Sequence, residues 1–261
     1  MGIVNVTPDS FSDGGSFLDP ARAADHAVQM LDEGAAIIDV GGESTRPGAQ
    51  PVSADEEIAR VLPVVETVLG RWPDCLISVD TSKAAVARAA LERGAAIIND
   101  VTALRGDPLM AATVAEARAG VVLMHMQGEP RTMQVNPTYG DVVGEVRAFF
   151  ADRLESALKE GITPDRIAYD PGIGFGKTVA HNLALLRGLA TLPPAGRPLV
   201  LGVSRKSFLA KIADADALPE RLWPTVALTA YGREHGASVL RVHDVRPNLS
   251  ALRTVEALLN G

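Results

Sequence analysis

Short apolar runs, each closed by a polar residue and separated by amphipathic stretches, recur along the whole chain. Gly34-Ala35-Ala36-Ile37-Ile38-Asp39 returns sixty positions later, from 34 to 94, as Gly94-Ala95-Ala96-Ile97-Ile98-Asn99. A third echo, Gly236-Ala237-Ser238-Val239-Leu240-Arg241, ends in a cation. Each glycine suits the left-handed position that closes a helix. The β-branched run behind it suits a strand buried on both faces. Strand-like runs occur at 2–6, 37–40, 76–80, 97–101, 121–126, 167–170, 199–203 and 239–242, with amphipathic helices predicted at 53–69, 82–93 and 142–160. In the last, Val142, Val146, Phe149, Phe150, Leu154 and Leu158 fall at three- and four-residue steps and predict one apolar face. Ser53, three residues before Glu56, has capping-box spacing.

About eight alternations of strand and helix predict a parallel sheet with right-handed crossovers. The leading topology is a closed (β/α)8 barrel formed by residues 1–261 as a single domain, with a doubly wound open sheet as runner-up. The length of 261 residues fits a barrel, typically about 250. In a barrel the polar residues at the strand ends converge on one rim: Asn5, Asp39, Asp80, Asn99, His125, Asp170, Ser204-Arg205-Lys206 and Arg241 with His243. For any one of them a helix cap is the competing role, and Asp80, just before Thr81-Ser82, is a fair cap. Together they describe a pocket for a polar heterocycle carrying negative charge.

Composition narrows the classes. A net charge of −7 argues against a general nucleic-acid binder. Without a run of eighteen apolar residues, no membrane span is expected. A lone cysteine, Cys75, rules out an internal disulfide and reads as packing beside a strand. The chain opens almost directly on a strand, without the basic region or cleavage site of a signal peptide. A cytoplasmic protein is expected, with upstream residues possible.

Two long loops follow the first two strands, Thr7 through Gly15 and Gly41 through Gly48, and read as lids over the rim. A third, Asp170-Pro171-Gly172-Ile173-Gly174-Phe175-Gly176-Lys177, contains G-x-G-x-G, not the dinucleotide spacing G-x-G-x-x-G. Its glycines instead let backbone approach a flat ligand, with Phe175 as an apolar wall. His26, His181 and His235 lie in helical stretches as surface or cap residues, and His125 and His243 form no zinc spacing with any cysteine.

Asn5-Val6-Thr7-Pro8-Asp9-Ser10-Phe11-Ser12-Asp13-Gly14-Gly15 closely resembles the first signature of the dihydropteroate synthase family. Gly34 through Gly48, with Asp39-Val40-Gly41-Gly42-Glu43-Ser44-Thr45-Arg46-Pro47-Gly48, resembles the second. Ser78-Val79-Asp80-Thr81, Asn99-Asp100, Met124 through Gly128, Asp170-Pro171-Gly172, Ser204 through Ser207 and Arg241 through Asp244 complete the resemblance in order. It runs essentially end to end. The departure is at the start, where family members carry a further short segment covering the barrel's base.

The resemblance implies a folate-pathway transferase, of the class targeted by sulfonamides, which joins 6-hydroxymethyl-7,8-dihydropterin diphosphate to 4-aminobenzoate with magnesium. By family position Asp170 takes the pterin edge, Asp80 and Asn99 complete the ring's bonds, Lys206 reaches its acceptor side and Arg241 stacks on its face. Asn5, Arg241 and His243 match the diphosphate and magnesium residues, with Asn5 as the metal ligand. Thr45, Arg46, Phe11, Pro47, Phe175 and Lys206 shape the aminobenzoate slot. Lys206, Arg241 and Asp80 are the catalytic candidates. The implied assembly is a homodimer. The rival readings are a methyltetrahydrofolate-binding methyltransferase domain and a non-catalytic pterin-binding paralogue.

Overall fold

The computed structural model describes residues 1–7, 19–45, 48–129 and 132–260. Its strands are β1 (Gly2–Asn5), β2 (Ile37–Gly41), β3 (Leu76–Asp80), β4 (Ile97–Asp100), β5 (Gly120–Met124), β6 (Ile167–Asp170), β7 (Leu199–Gly202) and β8 (Ala237–Arg241). They form one parallel sheet in sequence order. A parallel bridge between Gly2 and Val242 brings the last strand back to the first. There Ile3 N–H donates to the Val242 carbonyl and Val242 N–H to the Met1 carbonyl, each at 3.0 Å. The expected barrel therefore holds, and the open sheet is excluded. The ladder is thinnest between β6 and β7, where Tyr169 opposite Leu199 is the one registered pair among the described residues.

The described helices are α1 (Pro20–Asp32), α2 (Ala54–Arg71), α3 (Ala84–Glu92), α4 (Met110–Ala117), α5 (Val142–Lys159), α6 (Val179–Arg187), α7 (Ser207–Ala213), α8 (Leu222–Glu234) and α9 (Val245–Asn260). Their starts obey local chemistry. Ser53 Oγ accepts from Glu56 N–H at 3.2 Å, as its spacing predicted. His181 serves as a cap residue, exchanging bonds with Thr178 at the start of α6. Gly34, Gly94 and Gly236, the glycines of the repeated phrase, sit at φ of 100°, 99° and 93°, where a side chain would be strained.

Two expectations need correction. Asp80 caps no helix: Thr81 Oγ1 accepts from Lys83 N–H, and Asp107 takes Ala84 N–H at the start of α3. Asp80 ends β3 and turns inward to a cation, described below. On α5, Val142, Val146 and Phe150 are buried as predicted, but Leu158 is exposed and Ala157 takes the inward place in the last turn.

The register sets the active end. Asn5 pairs with Gly41, Gly41 with Asp80, and Asp80 with Asn99, so one row across β1 to β4 carries two amides and a carboxylate around a glycine. Asp39, two residues below Gly41, lies on the same face one layer deeper. Met124 and Met126 pack with Val101 and Met133 in a small cluster separate from the main core, with Phe175 against it.

Candidate active site

Arg241, at the end of β8, is the cation that the acids of β2 and β3 share. Its Nε donates to Asp39 Oδ2 at 2.6 Å and its Nη2 to Asp80 Oδ2 at 2.8 Å. Asn99 Nδ2 also donates to Asp39 Oδ2, at 3.1 Å. Asp39 is fully buried, and its Oδ1 meets no donor among the described residues. Burial pushes Asp80 up to about 7; Arg241 opposes that rise, while Asp39, Glu57 and Asp100 add to it. Arg241 is itself held above its ordinary value: burial disfavours its charge, but Asp39 and Asp80 outweigh that.

Across the mouth, Asp170 ends β6. Its Oδ1 accepts Gly172 N–H at 2.7 Å. Burial raises its pKa, against the pull of Lys206, the Gly172 N–H, Arg241 and Lys177. Lys206 follows β7, donates to the Ile173 carbonyl and lies 4.8 Å from the Phe175 ring centroid. Burial lowers it to about 8, chiefly against the attraction of Asp170. Gly202 lies between them: a β-carbon there would be 3.5 Å from Asp170 Oδ2 and 3.9 Å from Lys206 Nζ. This is a slot with a carboxylate and an ammonium on its sides and an aromatic ring beside it.

Asn5 and His243 stand at another edge of the mouth. The Asn5 Oδ1 would be 3.5 Å from a β-carbon on Gly41, the same distance that separates that position from Asp80 Cβ. His243 Nδ1 lies 3.0 Å from Ser204 Oγ. A cleft of about 410 Å³ starts from these residues and runs outward past His26 and Gln29 of α1 and Arg246 of α9. Arg205, although it belongs to the same run as Lys206, forms a two-point pair with Asp244 at 3.0 and 2.7 Å. Thr45 of the second loop is half-buried. Arg46 and Pro47 of that loop, and Phe11 of the first, lie outside the described residues.

The whole fold matches known proteins. Residues 1–243 match the family described as pterin binding enzyme. The chain belongs to the pterin-binding enzyme family. It is 45% identical over 258 residues to the dihydropteroate synthase of Synechocystis, covering 99% of this chain and 89% of that protein. It is 46% identical over 260 residues to the dihydropteroate synthase of Escherichia coli, covering 100% and 91%. A solved Yersinia pestis dihydropteroate synthase in complex with a sulfonamide drug superposes with a TM-score of 0.96 at 44% identity, over 100% of this chain and 94% of that one. A Xanthomonas albilineans dihydropteroate synthase with 4-aminobenzoic acid gives 0.93 at 43%, over 100% and 93%.

Within this family frame the barrel gathers Asp80, Asn99, Asp170, Phe175, Lys206 and Arg241 at one mouth, with Asn5 and His243 at its edge. The motif reading left out three groups. Asp39 was visible as a strand-end acid but was not singled out as the acceptor that Arg241 and Asn99 share. Lys83 Nζ donates at 2.6 Å to Glu43 Oε2 and at 2.6 Å to the buried Glu57 Oε2, tying the second loop to α2 and α3. Glu43 Oε1 also accepts Val52 N–H at 3.0 Å, so both ends of that loop are anchored. Lys177 is the third. Loss of the shared acid should be costly. Asp39→Ala leaves Arg241 and Asn99 short of a buried partner and should remove about 3 kcal/mol of stability. Urea unfolding showing a loss below about 1 kcal/mol would mean that Asp39 does not hold the cluster together.

Proposed function

We propose that this chain catalyses the dihydropteroate synthase reaction: 6-hydroxymethyl-7,8-dihydropterin diphosphate and 4-aminobenzoate give 7,8-dihydropteroate and diphosphate. The observation that carries the reading is the slot between Asp170 and Lys206. A pterin edge presents an amino group beside a ring N–H, two parallel donors that a carboxylate accepts bidentately. The Asp170 Oδ2 has no hydrogen bond among the described residues and borders the gap left by Gly202. Lys206 offers a donor to the ring's acceptor side. Asn99, whose amide N–H₂ is committed to Asp39, keeps its carbonyl for a ring N–H. A Xanthomonas albilineans dihydropteroate synthase solved with 7,8-dihydropteroate, 41% identical with a TM-score of 0.89, supports the same product here.

The chemistry is a dissociative substitution. Electron release from the dihydropterin ring breaks the C–O bond and expels diphosphate; the neutral arylamine attacks the cationic methylene left behind, and the arylammonium so formed loses its proton to the departing diphosphate or to water. The protein's work is positioning and charge stabilisation, so no strong base is needed. Arg241, held at Nε and Nη2 by Asp39 and Asp80, presents its planar guanidinium in a fixed orientation toward ring and leaving group. The Asp39 and Asp80 carboxylates lie beside it, where they also favour a developing cation. His243 joins Arg241 on the diphosphate side, and Thr45, Phe175 and Lys206 form the aminobenzoate slot, to which the family resemblance also assigns Arg46.

Magnesium fits the donors present. Asn5 supplies one hard oxygen donor at the mouth, and this ion commonly takes one or two protein ligands and completes its shell with water and substrate phosphate oxygens. When bound it neutralises charge on the departing diphosphate. A cytoplasmic location is part of the same proposal; among the described residues no helix is long and apolar enough to cross a membrane. We place a homodimer on the same footing: Trp223, 69% exposed at the start of α8, offers apolar surface for it. Sedimentation as a monomer at working concentrations would remove that part of the reading.

Diphosphate release from the two substrates with magnesium tests the activity, and absence of release removes it. Asp170→Asn should abolish productive pterin binding. An amide sets a donor against a ligand edge made of donors and forfeits charge-assisted bonds worth about 1.5–3 kcal/mol each. Unchanged pterin affinity by calorimetry would overturn the role of Asp170. A pH profile tests Lys206. Its ammonium is present below about 8 and lost above, so kcat/KM for pterin diphosphate should fall as pH rises through that value. The alkaline limb should vanish in Lys206→Met; a limb that persists there belongs to another group.

A further inference from the structure

The glycine-rich loop between β6 and α6 is pressed against the segment that follows β5. A β-carbon on Gly172 would lie 1.9 Å from the His125 carbonyl oxygen, and one on Gly176 would lie 2.4 Å from the Gln127 carbonyl oxygen. Both glycines have positive φ, 62° and 61°. Backbone this close, with no ladder between the two segments, needs donors from elsewhere to satisfy its carbonyls. Side chains supply them. Lys206 donates to the Ile173 carbonyl, Gln134 to Gly174 and Tyr139 to Gly176, the last at 2.9 Å.

The remaining donor is Lys177, a buried cation that the proposed chemistry does not use. Its Nζ lies 2.9 Å from the Phe175 carbonyl, 3.2 Å from the His125 carbonyl and 3.0 Å from His125 Nδ1. Three acceptors match the three protons of an ammonium, the form Lys177 holds below about 7, the value to which burial and the charge of Lys206 lower it. Two of them belong to the other segment, so this ammonium joins loop to strand end. The imidazole must be neutral to accept at Nδ1. Burial and the charge of Lys177 hold His125 down at about 3. Phe149 meets the imidazole edge-on at 4.9 Å and fixes its plane.

We propose that Lys177 is a positioning residue whose ammonium clips the loop 171–176 to the end of β5. The clip sets the place of the Phe175 ring and so shapes the aminobenzoate wall of the site; through the Gly172 N–H and the Ile173 carbonyl it bears more weakly on Asp170 and Lys206. The consequence for aminobenzoate rests on the function proposed above; the clip itself does not. Asp170 stands before the loop on β6, paired with Met124 of β5, so pterin binding depends on the clip less than aminobenzoate binding does.

The test compares Lys177→Met with the unaltered protein by amide hydrogen exchange and by steady-state kinetics. Peptides covering 171–176 should exchange about tenfold faster while those of α2 and α3 are unchanged. KM for aminobenzoate should rise about tenfold while pterin diphosphate affinity moves less than about threefold. Lys177→Gln, which keeps two donors for the two carbonyls, should recover part of both effects. Unchanged exchange in 171–176 overturns the clip, and faster exchange everywhere reduces Lys177 to a general stabiliser. An equal loss for both substrates also overturns the proposed division. If Lys177→Met does not fold, Lys177→Gln and His125→Phe carry the same comparison; failure of all three to fold also counts against positioning. Should the unaltered protein release no diphosphate, the function fails while the exchange result still decides the clip.

Discussion

The guanidinium of Arg241 stands between two carboxylates that reach it from different strands, and much of the mouth is arranged around that contact. Asp39 on β2 and Asp80 on β3 approach from one side, while the chain arrives from β8 on the other. The contact spans β1, the strand at which the barrel closes. A half-buried cation of this kind is tolerable only when its partners are fixed, and the partners are buried only because the cation is there. The same bonds aim the guanidinium, so the group proposed to meet the substrate is oriented by interactions that also hold the closure.

Charges of both signs share a small volume here. Asp39, Asp80 and Asp170 face Arg241, Lys206 and Lys177, and burial shifts several of them toward their neutral forms. The proposed reaction, which releases a polyanion and passes through a transient cation, needs both signs ready before substrate arrives. The protein bears that desolvation cost in the free state. The glycine-rich loop is part of the same arrangement, since its donors include two of those cations.

Much of this was legible in the chain. The repeated phrase located β2, β4 and β8, and the glycine opening each copy has the left-handed backbone that a helix end requires. The polar strand ends predicted the rim because strand direction in a parallel barrel sends them all to one side. Asp80 shows where such reading stops. An acid before a helix start looks like a cap whether its side chain turns back to the helix or inward to a cation. The choice was made by Arg241, 161 residues away. Asp39 and Lys83 were opaque for the same reason, since their partners are distant in sequence and close only after the strands align. Lys177 was read as the end of a motif; its acceptors come largely from a segment fifty-two positions earlier. Phe11, Arg46 and Pro47, which the family resemblance assigns to the aminobenzoate slot, lie outside the described residues.

The thin ladder between β6 and β7 bears on how the slot keeps its width. Asp170 and Lys206 stand on the two sides of that seam, and backbone bonding across it is sparse. Their separation is therefore governed less by the sheet than by what fills the space between them, and at Gly202 that filling is absent. A ring seated there would act as the missing side chain of β7, bracing two strands that the protein alone joins loosely. In that sense the pterin of the proposed reaction would complete the wall of the barrel before it reacts within it.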